Sequence, residues 1–458
     1  MSLAEYKVLF IVDHKHRDLP SLSLIGYYLK KKGCSVEFVA LWQEKEKLAS
    51  FKPDAVVLPK PIYDSNRLIQ FKRSGIKIIV INTEGNPQDK KFKLKIDVQP
   101  DLFFYWNKSQ QYLDRNELDN DTIAKLVGCP RIDFYHKDLS ELLPNKNEIL
   151  ENYSLPINNK TITIATSTQD ADFDDDTIKR MSIIRKRILA ETADYKDIVS
   201  NMKTLRSLTT RLIEKILDEM PSVNVIVKPH PNENIFYWKK LVESYPASKN
   251  IKLCVGEPII NLLRASDLHI SLNVCTTTFE SLLSGIPVIE LHTELSEQLY
   301  EAEHLYLAPY TARKEKEALI AVKEILSNAN YEQSQEQKEK LTKYIEKYFY
   351  KFDGKRCYEY AKEIVSFLSN IKTEKLSLTK MLLKSPKIYK DYIIFCIKGY
   401  IKRIIVPFLN FFKTQSLKKR EIDSRGRFDN RIQPGDEILW FRKFESNEKT
   451  MSTIRINL

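Results

Sequence analysis

The sequence predicts an α/β protein made of two Rossmann-like, doubly wound lobes, followed by a C-terminal tail that is helical and basic. Two series of short β-rich runs alternate with helical patterns, which is typical of parallel sheets with helices on both faces. At 458 residues the chain exceeds the size at which one hydrophobic core keeps growing, and this favours more than one domain. Hydrophobic residues make up 43% and charged residues 29% of the chain, which excludes the disordered class.

The first lobe is predicted to span residues 1–145 and the second residues 146–330. Strands of the first lobe are predicted at 6–12, 35–40, 55–58, 76–82, 102–106 and 124–128, with helices at 19–32 and 63–74. Strands of the second are predicted at 161–165, 224–227, 251–254, 268–271 and 288–291, with helices at 205–220, 259–265 and 277–284. Helices in 331–383 are expected to pack across both lobes. Ligands of such lobes bind between the carboxyl ends of the strands.

The positive charge belongs to the tail, residues 384–458, and to the residues just before it. The formal net charge is +12, yet residues 371–458 hold 20 Lys/Arg against 9 Asp/Glu, while the preceding chain holds 53 against 52. A near-neutral body argues against a nucleic-acid groove. Residues 384–412 form a basic, aromatic-bearing amphipathic pattern, so residues 384–420 are predicted to contact an anionic membrane surface. The alternative is a helix packed on the body or on another subunit.

The cysteines and the apolar runs bear on location. Six cysteines occur without a Cys-x-x-Cys spacing, no apolar signal precedes the first strand, and no run reaches the length of a membrane span. We therefore expect a cytoplasmic protein that attaches peripherally to the inner face of the cell membrane.

The segment Lys228-Pro229-His230-Pro231 follows a predicted strand and must leave the sheet, because two prolines cannot sustain a ladder. His230 is thus predicted at a strand end facing the cleft, as a phosphate-binding and catalytic residue, with Lys228 adding a charge. The simpler alternative is a turn that ends the strand.

A second anion site is predicted where hydroxyl residues open a helix. Thr276, Thr277 and Thr278 precede the apolar part of that helix, and a helix N-terminus presents free N–H groups to an anion. Two interpretations of Glu280 stay open: it is a ligand for ribose hydroxyls, or it forms a capping box with Thr277.

Carboxylates that could transfer protons are predicted on both sides of the cleft. Glu84 follows a strand of the first lobe and is predicted as an acid or base opposite His230, near the charged loop 13–18. Asp170 follows the strand 161–165 and is predicted to act on the sugar as nucleophile or orienting group. The acids of 170–176 have metal-like spacings, but for Asp174, Asp175 and Asp176 we favour a role at a helix N-terminus.

Several common motifs are absent from the sequence. It contains no Gly-x-Gly-x-x-Gly, no Gly-x-x-x-x-Gly-Lys-Ser/Thr, no His-x-x-x-His and no Gly-x-Ser-x-Gly. This argues against dinucleotide, P-loop, zincin and serine-hydrolase chemistry. No metal and no resident cofactor is predicted.

Taken together, the sequence resembles the bacterial surface carbohydrate biosynthesis proteins over roughly residues 6–330. The resemblance is carried by Val8-Leu9-Phe10-Ile11-Val12-Asp13, Arg17-Asp18-Leu19-Pro20, Asn82-Thr83-Glu84-Gly85, Asp101-Leu102-Phe103 and Gly128-Cys129-Pro130-Arg131-Ile132-Asp133, together with the His-Pro and Thr-Thr-Thr-x-Glu segments. It implies a GT-B-like fold and a role in capsule or lipopolysaccharide assembly.

The His-Pro segment followed by a hydroxyl-rich helix start is also similar to that of transferases of CMP-activated sugars, the sialyl and β-Kdo transferases. The similarity implies that His230 and Thr276–Thr278 bind the CMP phosphate. Related features occur in transferases of CDP-activated polyols, so CMP is favoured and other nucleotides stay open. Glu84 and Asp170 match no motif of these enzymes.

The sequence thus predicts a glycosyltransferase that moves a sugar, such as Kdo, from a CMP- or NDP-activated donor onto a surface polysaccharide or a lipid-linked glycan. Three alternatives remain at this point. They are a non-hydrolysing UDP-sugar 2-epimerase, a CDP-polyol phosphotransferase and a catalytically silent nucleotide-binding scaffold.

Overall fold

A computed structural model describes residues 6–41, 43–60, 65–81, 96, 98–114, 117–189, 194–246, 248–273, 275–299, 307–328, 331–370 and 436–447. Two parallel six-stranded sheets, one per lobe, confirm the predicted α/β class and the two doubly wound lobes.

The first sheet has the strand order β2-β1-β3-β4-β5-β6. Strands of such parallel sheets are buried on both faces, and the residues of 8–12 are accordingly almost fully buried. The elements of this lobe are β1 (Lys7–Val12), α1 (Leu19–Lys31), β2 (Ser35–Ala40), α2 (Glu44–Phe51), β3 (Ala55–Leu58), α3 (Ser65–Arg73), β4 (Lys77–Val80), β5 (Leu102–Tyr105), α4 (Lys108–Asp114), β6 (Ile123–Leu126), a 3₁₀ helix (Pro130–Tyr135) and α5 (Lys137–Ser140).

The second sheet has the order β12-β11-β10-β7-β8-β9. A long helix, α8, carries apolar residues at helical spacing that line the core, such as Leu205, Leu208, Leu212 and Ile216. The elements are α6 (Lys146–Asn152), β7 (Thr161–Ala165), α7 (Asp175–Leu189), α8 (Tyr195–Glu219), β8 (Asn224–Lys228), α9 (Ile235–Glu243), β9 (Ile251–Leu253), α10 (Ile259–Ala265), β10 (Leu268–Leu272), α11 (Thr276–Leu283), β11 (Val288–Leu291), α12 (Glu294–Leu299), β12 (Tyr310–Ala312) and α13 (Glu315–Ser327).

The chain returns to the first lobe through α14 (Gln335–Tyr348) and α15 (Arg356–Asn370). An aromatic cluster joins the lobes here: Phe349 stacks on Phe279 of α11 with ring centroids 4.2 Å apart, and lies 6.1 Å from Trp106 of the first lobe. The α15 helix packs along α1 in the core of the first lobe. Helices after the second lobe therefore contact both lobes.

A C-terminal helix, Asp436–Ser446, also packs on α1. Its Phe444 is fully buried with its ring centroid 5.5 Å from that of Tyr27, and Phe441 lies 5.8 Å from Phe38. These residues are predicted from the sequence to belong to the tail, whereas in the structure they pack into the core of the first lobe. The predicted membrane contact, residues 384–420, lies outside the described residues.

In the described part of the chain, no helix combines the length and the apolar character needed to cross a membrane.

Shortening Phe444 should test whether the C-terminal helix belongs to the core of the first lobe. We expect Phe444→Ala to lower the free energy of unfolding by about 3 kcal/mol, because a large side chain is removed from a closed site. Leu439→Ala is the matched control, since Leu439 is on the same helix and 62% exposed. Urea unfolding followed by circular dichroism would measure both. Equal, small effects of the two substitutions would contradict the packing described.

Candidate active site

The carboxyl ends of β7, β8 and β10 lie at one edge of the second sheet, because Ala165 pairs with Lys228 on one side and with Ser271 on the other. The chain runs from β7 towards β8 and β9 on one side, whereas β10, β11 and β12 lie on the other. A crevice opens where the strand order reverses in this way. The loops that follow β7, β8 and β10 border it.

A pocket lies at this edge, between the lobes. The first lobe contributes His14 and His16, from the loop 13–18 after β1. The empty volume is about 350 Å³, including space open to solvent. The second lobe contributes the turns after β8 and β9, with Lys228, Pro229, His230, Pro231, Ile235, Cys254, Val255 and Gly256. Residues of loop 13–18 and of the His-Pro segment thus line the same pocket.

His230 offers a fixed hydrogen-bond donor to this pocket. Its Nδ1 accepts the backbone N–H of Asn232 at 3.2 Å. Burial lowers the pKa of His230 below its ordinary value, Lys228 lowers it further, and Glu233 opposes this. A neutral imidazole that accepts at Nδ1 carries its proton on Nε2. The ring therefore presents Nε2–H as a donor near pH 7.

Glu233 holds the His230 turn in place. Its fully buried carboxylate accepts hydrogen bonds from the Thr166 hydroxyl at 2.6 Å, the Trp238 indole N–H at 2.8 Å and the backbone N–H of His230 at 3.1 Å. The Thr168 hydroxyl is a fourth donor. One carboxylate thus ties the loop after β7 to the turn after β8. The sequence analysis missed Glu233; its position three residues after His230, within the turn, was the available signal.

Lys228 and Asp170 flank His230. The Lys228 ammonium donates to the backbone oxygen of Glu257 at 2.7 Å, which holds it at the pocket. Asp170 is buried and accepts a hydrogen bond from the Tyr195 hydroxyl at 2.5 Å. Its charge raises the pKa of His230. Of these three predicted site residues, Lys228 and His230 line the pocket.

His14 mirrors His230 from the first lobe. Its Nδ1 accepts the backbone N–H of Arg17 at 3.1 Å, and its buried Nε2 has no hydrogen-bond partner among the described residues. Burial and the Arg17 guanidinium lower the pKa of His14 to about 2, while burial and Lys228 lower the pKa of His16 to about 4. Both rings are therefore neutral near pH 7.

The start of α11 differs from the prediction. The helix begins at Thr276 with Cys275 as N-cap and no side-chain cap, so the proposed capping box does not form. The Thr277 and Ser271 hydroxyls bond each other at 3.0 Å, and the buried Thr278 hydroxyl donates to Glu290. The Thr278 hydroxyl is thus used in a hydrogen bond inside the second lobe. Half-buried Thr276 and the N–H groups of the first turn remain as candidate phosphate contacts.

Glu280 lies in the junction between the lobes. It pairs with Arg131 of the 3₁₀ helix at 3.5 Å, and the Arg131 guanidinium lies 5.9 Å from the ring centroid of Trp106. Burial raises the pKa of Glu280, and Arg131 and Tyr135 oppose the rise. The interpretation as a capping residue is wrong, because the carboxylate contacts the other lobe. A contact with ribose hydroxyls stays a prediction.

The acidic residues in the loop after β7 pair with different groups of the second lobe. Asp172 pairs with Arg206 at 2.5 Å, and Asp174 accepts the backbone N–H of Thr177 at 2.7 Å, which confirms its predicted place at the N-terminus of α7. Within the part of the chain that the structure describes, no group of three or more His, Cys, Asp or Glu could hold a metal ion. Glu84 lies outside the described residues, so its place opposite His230 stays a prediction.

Substituting Glu233 should test the buried anchor beneath His230. Glu233→Gln keeps the shape of the side chain, but its amide N–H₂ group would face other hydrogen-bond donors. We therefore expect the free energy of unfolding to fall by about 2 kcal/mol. Glu243→Gln, on the exposed face of α9, is the control and should change little. Chemical denaturation measures both. If Glu233→Gln were as stable as this control, the anchor would be refuted.

The neutral His14 predicts a pH dependence of stability. The folded pKa is about 2 and the ordinary value is 6.5, so between these values the unfolded chain binds more protons. The neutral His14 ring therefore contributes its full share to the free energy of unfolding above pH 6.5. This contribution decreases as the pH falls, by about 2 kcal/mol at pH 5. We expect His14→Gln to reduce the loss of unfolding free energy between pH 7 and pH 5. The exposed Lys239→Gln should leave the slope unchanged, and an unchanged slope in His14→Gln would contradict the burial of a neutral ring.

Comparisons with known proteins give the following. No family model and no curated protein matches the chain. Similar solved structures include the UDP-GlcNAc 2-epimerase from Neisseria meningitidis bound to UDP-GlcNAc, at 12% identity and TM-score 0.48, covering 79% of this chain and 100% of that chain. The UDP-GlcNAc 2-epimerase from Methanocaldococcus jannaschii in complex with UDP-GlcNAc and UDP has 15% identity and TM-score 0.46, covering 79% and 99%. A variant of the wall teichoic acid polymerase TagF has 13% identity and TM-score 0.49, covering 80% and 89%.

Proposed function

We propose that this protein is a glycosyltransferase that uses a nucleotide-activated sugar and holds the donor phosphate in the crevice beside His230. The observation that carries the proposal is the neutral His230 ring, fixed as an Nε2–H donor next to the Lys228 ammonium. A donor fixed beside a cation suits an anionic oxygen.

The same groups can assist the reaction. When the bond between the sugar and the phosphate breaks, negative charge develops on the leaving phosphate oxygen. Donors and charges already aimed at that oxygen stabilise the transition state without reorganising. His230, Lys228 and the first N–H groups of α11 would have this role, with Thr276 as the hydroxyl contact.

Asp170 would act on the sugar. Its charge acts on the pKa of His230, and the Tyr195 hydroxyl donates a hydrogen bond to its carboxylate. From this place it would orient the sugar or attack the anomeric carbon. Glu84 is proposed to activate the acceptor from the first lobe, and Glu280 to bind the ribose hydroxyls.

The finer assignment rests on the sequence resemblance. We propose CMP as the favoured nucleotide, Kdo or a related acid sugar as the transferred group, and a bacterial surface polysaccharide or lipid-linked glycan as acceptor. An anionic membrane contact through residues 384–420 would bring the enzyme to such an acceptor.

Nucleotide binding tests this proposal. We expect one of CMP, CDP, UDP and GDP to raise the melting temperature above the others, because a specific ligand stabilises the folded state. His230→Phe, which keeps a ring but removes the donor, should abolish the effect, whereas His230→Gln should retain part of it. The exposed Lys239→Met removes a positive charge elsewhere in the same lobe and should change nothing.

Two outcomes would count against the proposal. Absence of stabilisation by all four nucleotides would refute a nucleotide-dependent enzyme. If the nucleotide sugar were epimerised, with no sugar transferred to an acceptor and no free nucleotide released, the protein would be an epimerase instead. Proton NMR of the reaction mixture distinguishes the two.

A further inference from the structure

The C-terminal helix reaches the loop that lines the pocket. The carboxylate of Asp436, its first residue, lies 2.9 Å from the Lys15 ammonium. Lys15 stands between His14 and His16 in the loop after β1. The contact therefore joins the pocket to a segment 421 residues further along the chain.

Aromatic side chains pack the C-terminal helix against the first lobe. Besides Phe441 and Phe444 in the core, Trp440 lies against Phe134 with ring centroids 5.5 Å apart. The Lys30 ammonium of α1 lies 3.9 Å from the ring centroid of Phe441. Three aromatic anchors leave the helix little freedom, so Asp436 holds a defined position relative to the sheet.

The rest of the loop is held from within the first lobe. Asp13 pairs with Lys60 at 2.7 Å, and Asp18 accepts from the Arg17 guanidinium at 2.7 Å and from the backbone N–H of His14 at 3.1 Å. These contacts fix the two ends of loop 13–18. At its apex, Asp436 is the acid that pairs with Lys15 among the described residues.

The charge of Asp436 affects a histidine that lines the pocket. Its carboxylate raises the pKa of His16, opposing burial and the charges of Lys228 and Lys15. Near the other end of the helix, burial lowers the pKa of Lys443, and the charges of Glu148 and Glu257 from the second lobe oppose this.

We propose that Asp436 is a positioning residue of the active site: it holds Lys15 so that the loop 13–18 presents His14 and His16 to the crevice opposite His230. A C-terminal segment thereby completes the wall that the first lobe contributes. The proposal extends the proposed function, in which this crevice is the reaction site, but the contact itself can be tested without a substrate.

The test is a histidine titration by NMR on the full chain, with the His16 signals assigned by their loss in His16→Gln. Asp436→Asn should lower the pKa of His16 and shift the ring signals of His14, because the loop loses its apical contact. Asp436→Glu should restore the pKa of His16 and the ring signals of His14 to their wild-type values. Lys15→Met should shift the His14 signals when it is introduced into the wild type, but should hardly shift them when it is added to Asp436→Asn. Glu437→Gln removes a charge from the same helical turn and should leave the signals in place.

Binding of CMP gives the second measurement. If CMP binds the wild type, Asp436→Asn should weaken its affinity less than 3-fold, about 0.6 kcal/mol, since the phosphate contacts belong to the second lobe. Unchanged histidine signals in Asp436→Asn, or equal shifts in Glu437→Gln, would overturn the proposal. Failure of CMP to bind the wild type would instead count against the proposed nucleotide, while the titration still decides the role of Asp436.

Discussion

The stacking of Phe349 on Phe279 is the contact on which the arrangement of the two lobes depends. Phe279 lies in the first turns of α11, so burying it against the returning chain fixes the start of that helix relative to the first lobe. The Arg131–Glu280 pair lies beside the stack, where desolvation of both charges is costly unless they meet. Gly128 has a φ of +98°, and a Cβ there would come within 2.8 Å of the Phe349 backbone oxygen, so the close approach requires glycine.

The electrostatics of the crevice follow from this enclosed geometry. Lys228 and Arg17 already supply positive charge, and adding protons to the nearby rings would place like charges together in a poorly solvated space. The histidines therefore stay neutral, and the neutral rings of His14 and His230, whose Nδ1 atoms accept hydrogen bonds, each carry a donor at Nε2. Asp170 is a second acid, besides Glu233, that acts on the pKa of His230, and the hydrogen bond from Tyr195 offsets part of the cost of burying its carboxylate.

Most of the fold could be predicted from the sequence, because strand and helix patterns are local. The strands at 161–165 and 288–291 have the predicted bounds, and His230 was placed at a strand end by its two prolines alone. The short aromatic helix α9 and the three-residue β12 were missed, since neither has a long enough periodic pattern. The contacts that complete the site could not be predicted. Glu233 needs donors from another loop, and Asp436 reaches Lys15 only after the whole chain has folded.

The two halves of the site are built separately and are joined only by tertiary contacts. In each lobe a backbone N–H two or three residues downstream bonds Nδ1 of a histidine, so the tautomer of His14 and of His230 is set by a short local turn. Each lobe can thus form its own donor during folding without its partner. Presenting the two donors to one crevice additionally requires a defined arrangement of the lobes, which no local turn can ensure. The aromatic junction supplies that constraint at one end of the crevice, and the C-terminal helix supplies it at the loop of the first lobe. Short local turns therefore set the tautomer of each histidine, whereas tertiary contacts set the position of the two histidines relative to each other.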